Sequence, residues 1–101
     1  MSDIVEAASL IKKDLGLDPS ELSGLKASYA SLKQMLVPIL NYLLDNDMPR
    51  LLHALYRIDV DEEGLKRVLS AHAPGEIADA LADLIIKRQL KKIEIRKKYS
   101  S

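Results

Sequence analysis

Apolar residues recur every three or four positions along most of the chain, and no segment alternates between apolar and polar residues as a strand does. The clearest series has spacings of 3, 4, 3, 4, 3 and 4 and consists of Leu22, Leu25, Tyr29, Leu32, Leu36, Ile39 and Leu43. Residues with this spacing share one face of a helix, which packs against neighbouring helices. The pattern therefore predicts an all-α fold.

Residues that cap helices divide the pattern into five helices. Asp18, Pro19 and Glu21 occupy positions that suit the start of a second helix, and Asp47 and Asp61 suit the starts of the third and fourth. We predict helices over residues 3–15, 18–45, 48–58, 62–72 and 74–98. Helix one ends at Gly16, and Pro38 predicts a kink or a break of helix two near Val37 because proline has no amide hydrogen to donate.

The third and fourth helices each have one apolar side. In helix three, Arg50, His53 and Arg57 lie opposite the apolar residues, which are Leu51, Leu52, Leu55, Tyr56 and Ile58. In helix four we expect Leu65, Val68 and Leu69 to be buried. Because the connections are short, we predict sequential antiparallel packing.

The C-terminal helix has apolar residues on two opposite sides. One side carries Ile77, Leu81, Leu84, Ile85 and Ile95, and the other carries Ile86, Leu90 and Ile93. One side packs in the bundle, and the other is covered by the same chain, by a second copy or by a different partner, since exposed aliphatic stripes associate. We predict that Ile86, Leu90 and Ile93 form the interface of a symmetric homodimer.

These predictions combine into one helical domain over residues 1–101, a compact bundle of about five helices. Its second helix is kinked, its C-terminal helix is long, and these two helices form the central pair.

Charge is balanced over the whole chain but not along it. Fifteen Lys and Arg match fifteen Asp and Glu, yet residues 87–98 hold seven cations and only Glu94 as an anion. Cations at a helix C-terminus are favoured by the helix dipole, so a solvated helix end explains this run. The alternative is contact with a polyanion through Arg88, Lys91, Lys92, Arg96 and Lys97.

The composition favours a cytoplasmic protein. The chain has no cysteine, as in proteins of reducing compartments, and its N-terminal segment lacks the apolar core of a secretory signal. The most apolar segment, Met35 to Leu44, has ten residues and is interrupted by Pro38 and Asn41. About 20 apolar residues are needed to span a bilayer, so we expect no membrane contact.

No motif predicts catalysis, a cofactor or a metal. The acids and glycine of residues 59–64 are spaced like the start of a calcium loop, but Ser70 stands where a bidentate glutamate is needed. His53 and His72 lack metal-ligating neighbours at helical spacing, and the four glycines match no phosphate-binding loop.

The segment from Asp47 to Glu62, with Leu-Tyr-Arg-Ile-Asp-Val as its most distinctive part, and the segment from Ile77 to Ile93 resemble a group of short, uncharacterised bacterial helical proteins. The resemblance covers the C-terminal half and implies no activity. Arg57 and Asp59 are expected to tie the corner between helices three and four together. If that corner is instead a binding surface, Arg50, Arg57 and Asp59 are its polar members.

We therefore expect a non-enzymatic interaction or regulatory module that forms a homodimer through its C-terminal helix or binds another protein partner. The alternative is a nucleic-acid or ribosome accessory protein that uses the basic end of that helix.

Overall fold

A computed structural model describes residues 3–18, 28–71 and 73–99, and these residues form helices and no strand. The α-helices are α1 (Asp3–Leu15), α2 (Tyr29–Asn46), α3 (Met48–Ile58), α4 (Glu62–Ala71) and α5 (Ile77–Tyr99), with a short 3₁₀ helix at Pro74–Glu76. The all-α bundle with a long C-terminal helix is therefore confirmed. His72 lies outside the described residues.

The end of α1 is fixed by a residue of α3. Gly16 has a φ of 65°, a left-handed conformation that glycine adopts without steric cost. Arg50 donates hydrogen bonds from Nε and Nη2 to the carbonyl oxygen of Leu15 at 3.2 and 2.9 Å, and from Nη2 to that of Gly16 at 2.8 Å. These carbonyls have no partner within the helix, so the guanidinium joins the C-terminus of α1 to α3.

The second helix begins later than we predicted. Ser28 is extended, with φ −137° and ψ 151°, and its hydroxyl accepts a hydrogen bond from the amide of Ser31, which makes it the N-cap of α2. A single helix over residues 18–45 is therefore wrong, because the extended Ser28 separates α2 from the preceding segment. The predicted start at Pro19 and Glu21 lies outside the described residues. Pro38 lies inside α2, which continues through it without a break.

Local caps set both ends of α3 and the start of α4. Asp47 accepts a hydrogen bond from the amide of Arg50 at the start of α3, and Asp61 accepts one from the amide of Gly64 at the start of α4. Asp59 ends α3 in the left-handed region, with a φ of 61°. Aspartate tolerates this conformation better than most residues do. Of the acids that resemble a calcium loop, Asp59 and Asp61 are therefore helix caps, and Glu62 and Glu63 lie in the first turn of α4.

The long helix α5 lies in the centre of the bundle and contacts each of the four other α-helices. It runs antiparallel to α1. Gln89, in the middle of α5, binds Asp14 near the end of α1, whereas Arg96, near the end of α5, pairs with Glu6 near the start of α1. It is also antiparallel to α2. Apolar residues of all five helices form one core, whose largest fully buried members are Ile11, Leu15, Leu32, Leu36, Leu40, Leu43, Leu51, Ile58, Leu81, Ile85, Ile86 and Ile93.

Three side chains that we expected in the core are exposed. Leu52 and Tyr56 of α3 and Leu69 of α4 face solvent, whereas Leu55 and Val68 are buried. The apolar side of α3 is wider than the surface that its neighbours cover. Among the described helices, none is long and apolar enough to cross a membrane.

Candidate functional site

The face of α5 that we expected to bind a second copy is buried inside the bundle. Ile86 and Ile93 are 0% exposed, and Leu90 is half-buried and packs against the core. The contact of α1 along this side explains the burial, since Gln89 binds Asp14 and Lys97 pairs with Asp3. A homodimer interface formed by Ile86, Leu90 and Ile93 is therefore wrong, and the same chain covers this face.

The exposed apolar residues of α5 lie on its other side, near its C-terminus. Ile95 is 42% exposed and Tyr99 is 80% exposed. At about 100° per residue, Lys91, Lys92 and Lys98 lie within about 60° of Ile95. We call these five residues the basic face. It continues the stripe of Ile77, Leu81 and Leu84, whose members are buried or half-buried in the bundle.

Three of the five predicted polyanion contacts are engaged by acids of the same chain. Arg96 pairs with Glu6, Lys97 pairs with Asp3, and Nη2 of Arg88 lies 3.3 Å from Oδ2 of Asp59. The hydrogen bond to Asp3 raises the pKa of Lys97.

The other two predicted contacts, Lys91 and Lys92, belong to the basic face. Lys91 Nζ is 4.0 Å from Glu94, and Lys92 has no ion-pair partner among the described residues. Arg96 and Lys97 therefore join α5 to α1, Arg88 joins it to the end of α3, and Lys91 and Lys92 lie on the basic face.

A groove opens between α3 and α4. Both helices are fully described, and none of their Cα atoms come within 8 Å of each other. The groove has a volume of about 220 Å³, and its lining residues are Leu52, Leu55, Tyr56, Asp59, Val60, Glu62 and Leu65. We call this the α3–α4 groove. Tyr56 is 84% exposed and Leu52 is 47% exposed, so large apolar side chains stand at its opening.

The edge of the α3–α4 groove is acidic. Asp59, Asp61, Glu62 and Glu63 are exposed at the corner where α3 meets α4. Because Asp59 also binds Arg88, this acidic corner lies against α5 at the point where the basic face begins. An apolar surface with anions and an apolar surface with cations are therefore neighbours on one molecule.

The predicted polar corner does not form. Arg50 and Arg57 line a different cleft, of about 390 Å³, beside the end of α1, together with Asp14 and His53. Asp59 is not part of that cleft and binds Arg88 instead of Arg57. Two of the three residues therefore share a surface, but the guanidinium of Arg50 is already bound to α1 carbonyl oxygens.

Tyr29, Lys33 and Asp83 form a cluster of titratable groups with shifted pKa values, and it joins α2 to α5. The Tyr29 hydroxyl donates a hydrogen bond to Oδ1 of Asp83 at 2.6 Å. Lys33 Nζ is 2.9 Å from Oδ2 of Asp83 and 3.1 Å from Oδ2 of Asp79. Burial, with the bond to Asp83, raises the pKa of Tyr29 well above its usual 10.0.

The pKa shifts in this cluster stabilise the protonation states that these groups have at neutral pH, a neutral Tyr29 with a charged Lys33 and Asp83. Burial alone would raise the pKa of Asp83, but the hydrogen bonds from Tyr29 and Lys33 outweigh it and lower that pKa. The hydrogen bonds to Asp83 and Asp79 raise the pKa of Lys33. A general base or nucleophile needs a pKa shifted towards the working pH. The cluster is therefore a structural contact between two helices.

Within residues 3–18, 28–71 and 73–99, no three His, Asp or Glu side chains come together as a metal site requires. His53 is exposed in the cleft beside Arg57.

The sequence signal for the α3–α4 groove was present but ambiguous. Leu52 and Tyr56 belong to the same apolar arc as Leu51 and Leu55, and the residues alone do not say which part of the arc is covered. The exposure of Ile95 had one signal in the sequence, which is its position in the mostly basic segment that follows Arg88.

Comparison with known proteins adds no relative. The chain matches no family model, and no curated protein and no solved structure matches it significantly. The resemblance to short bacterial helical proteins therefore stays a prediction.

Proposed function

We propose that the protein is a non-enzymatic interaction module that associates with a second copy of itself through the basic face of α5. The observation that carries the proposal is the exposure of Ile95 and Tyr99 on a helix whose opposite side is fixed in the bundle. An aliphatic and an aromatic side chain, one helical turn apart and surrounded by cations, have the composition of an interface centre with a polar rim.

The attachment of α5 to the bundle supports this assignment further. The fully buried Ile93, with the ion pairs of Arg96 and Lys97 to α1, holds the segment that presents Ile95. Little conformational entropy is lost when a fixed helix binds, so a small apolar surface contributes more to affinity. We place the module in the cytoplasm, which the absence of cysteine supports.

Sedimentation velocity over a wide concentration range tests the proposal. The wild-type chain is expected to shift from one copy to two as concentration rises. Ile95→Glu places a charge at the centre of the basic face, and it is expected to weaken association by about tenfold or more. Val5→Glu is the matched control, because Val5 is 43% exposed on α1, and it is expected to associate like the wild type.

A wild-type chain that stays monomeric at every concentration contradicts the proposal, and so does equal weakening by the two variants. A low-salt titration with a single-stranded RNA oligonucleotide examines the alternative function. Binding that falls steeply with salt, together with a monomeric wild type, would favour a nucleic-acid accessory protein and overturn the self-association.

A further inference from the structure

We propose that the basic face of one copy binds the α3–α4 groove of a second copy, and that two such contacts form a two-fold dimer. This inference rests on the proposed self-association and names the surface that receives the basic face. The groove is built by α3, α4 and the corner between them, and its floor includes the buried Leu55 and Val60.

Charge complementarity identifies the occupant of the groove. Glu62 lines it and Glu63 adjoins it at the acidic corner, and neither has an ion-pair partner among the described residues. On the basic face, Lys92 and Lys98 likewise have no partner in the described part of the chain. Opposed charges of this kind increase the association rate and set the register of an interface.

The apolar residues of the two surfaces also match. Leu52 and Tyr56 stand at the opening of the groove, and Ile95 and Tyr99 protrude from the basic face. A helix with apolar residues one turn apart, laid in an apolar groove, is a common mode of protein recognition. The aromatic side chains on both sides are of the type that dominates interface energies.

The position of the two surfaces favours a second copy over an unrelated protein. They adjoin at the ion pair between Arg88 and Asp59, so they lie next to each other on one molecule. In a two-fold dimer, every contact between residue i and residue j occurs twice. Adjacent complementary surfaces allow both contacts to form at once, which doubles the buried area.

Charge reversal tests this pairing. One variant carries Glu62→Lys and Glu63→Lys in the groove, and the other carries Lys91→Glu and Lys98→Glu on the basic face. All four positions are exposed, so helical content should be preserved, and circular dichroism checks this. Each variant alone is expected to dimerise about tenfold or more weakly than the wild type, because both of its contacts bring like charges together.

The mixture of the two variants is the decisive sample. In a mixed dimer both contacts join opposite charges, so sedimentation is expected to show dimerisation close to that of the wild type. Lys13→Glu, an exposed charge reversal on α1, is expected to change nothing. If either double variant loses helical content, Glu63→Lys and Lys98→Glu alone form the same mixing experiment.

The outcomes separate this inference from the proposed function. If the wild type dimerises, Ile95→Glu disrupts it and the groove reversal has no effect, the basic face binds elsewhere and the inference is wrong. Failure of the mixture to recover dimers also overturns the reciprocal pairing. If the wild type never dimerises, the proposed function and this inference both fail.

Discussion

Individual side chains decide how the helices of this protein are joined. Asp83 of α5 receives hydrogen bonds from Tyr29 and Lys33 of α2, and it remains ionised because these bonds lower its pKa. Arg50 binds the free carbonyl oxygens at the end of α1. Each contact satisfies polar groups that would otherwise lose their hydrogen bonds to water on folding.

The contribution of Asp83 to stability should depend on pH, and replacing Asp83 tests this. Asp83→Asn is expected to lower the free energy of unfolding by about 1 kcal/mol at pH 7, because a hydrogen bond to a charged group becomes a neutral one. Since the folded-state pKa of Asp83 is lowered, its contribution is present above the unfolded pKa and is lost as pH falls through the folded value. The difference from the wild type should therefore begin to shrink below about pH 4 and disappear only when the pH is below the folded-state pKa of Asp83.

Urea unfolding of both proteins at pH 7 and at about pH 2 measures this difference. Asp79→Asn is the control, because the Asp79 side chain is 63% exposed. It is expected to cost less than about 0.5 kcal/mol at either pH. A pH-independent loss in Asp83→Asn would mean that the charge of Asp83 does not stabilise the fold.

Replacing Gly16 and Gly75 with alanine should change the stability of the fold in different ways. Gly16→Ala should destabilise the fold by about 1 kcal/mol, because alanine is strained at a φ of 65°. At Gly75 an added Cβ meets no atom within 4 Å and the backbone is not left-handed, so Gly75→Ala should be neutral or slightly stabilising. Thermal unfolding of both variants checks the prediction, and equal effects would argue against the left-handed end of α1.

At the scale of the elements, α5 is a helix whose two sides have different surroundings. α1 covers the side of Ile86 and Ile93, whereas the side of Ile95 is exposed beyond Arg88. Because α1 covers one apolar side of α5, Ile93 is buried within a single copy of the chain.

Truncation of one residue on each side of α5 tests that division. Ile93→Ala removes a fully buried side chain and should lower the free energy of unfolding by about 2–5 kcal/mol. Ile95→Ala should change the stability of the monomer by less than about 1 kcal/mol, since its side chain is partly in water already. Chemical denaturation at low protein concentration gives both values, and similar losses would show that both sides are buried alike.

Sequence reasoning located most helices because their ends depend on nearby residues. The caps Asp47 and Asp61 act within three residues of themselves, and the structure places α3 and α4 behind them as predicted. The covered side of α5 could not be predicted, because it depends on where α1 packs after folding. For the same reason the exposure of Tyr56 was missed, because the apolar residues of α3 do not indicate which of them α1, α2 and α5 cover.

At the scale of the whole molecule, the residues that stabilise the fold and the residues that we propose for binding lie in different places. Apolar residues of the five helices form the core, while the acids at the α3–α4 corner and Lys91 and Lys98 of the basic face remain exposed. A balanced total charge therefore conceals two surfaces of opposite sign. Their attraction is screened by salt, so we expect dimers to weaken as ionic strength rises.

Disulfide cross-linking between two copies tests the central claim most directly, because the chain has no cysteine of its own. Copies with Ile95→Cys are mixed with copies with Leu52→Cys under mild oxidation, and in the control mixture Val5→Cys replaces Ile95→Cys. The account predicts a covalent dimer of Ile95→Cys with Leu52→Cys that forms far faster than any dimer in the control. Equal rates in the two mixtures would contradict the docking of α5 in the groove of a second copy.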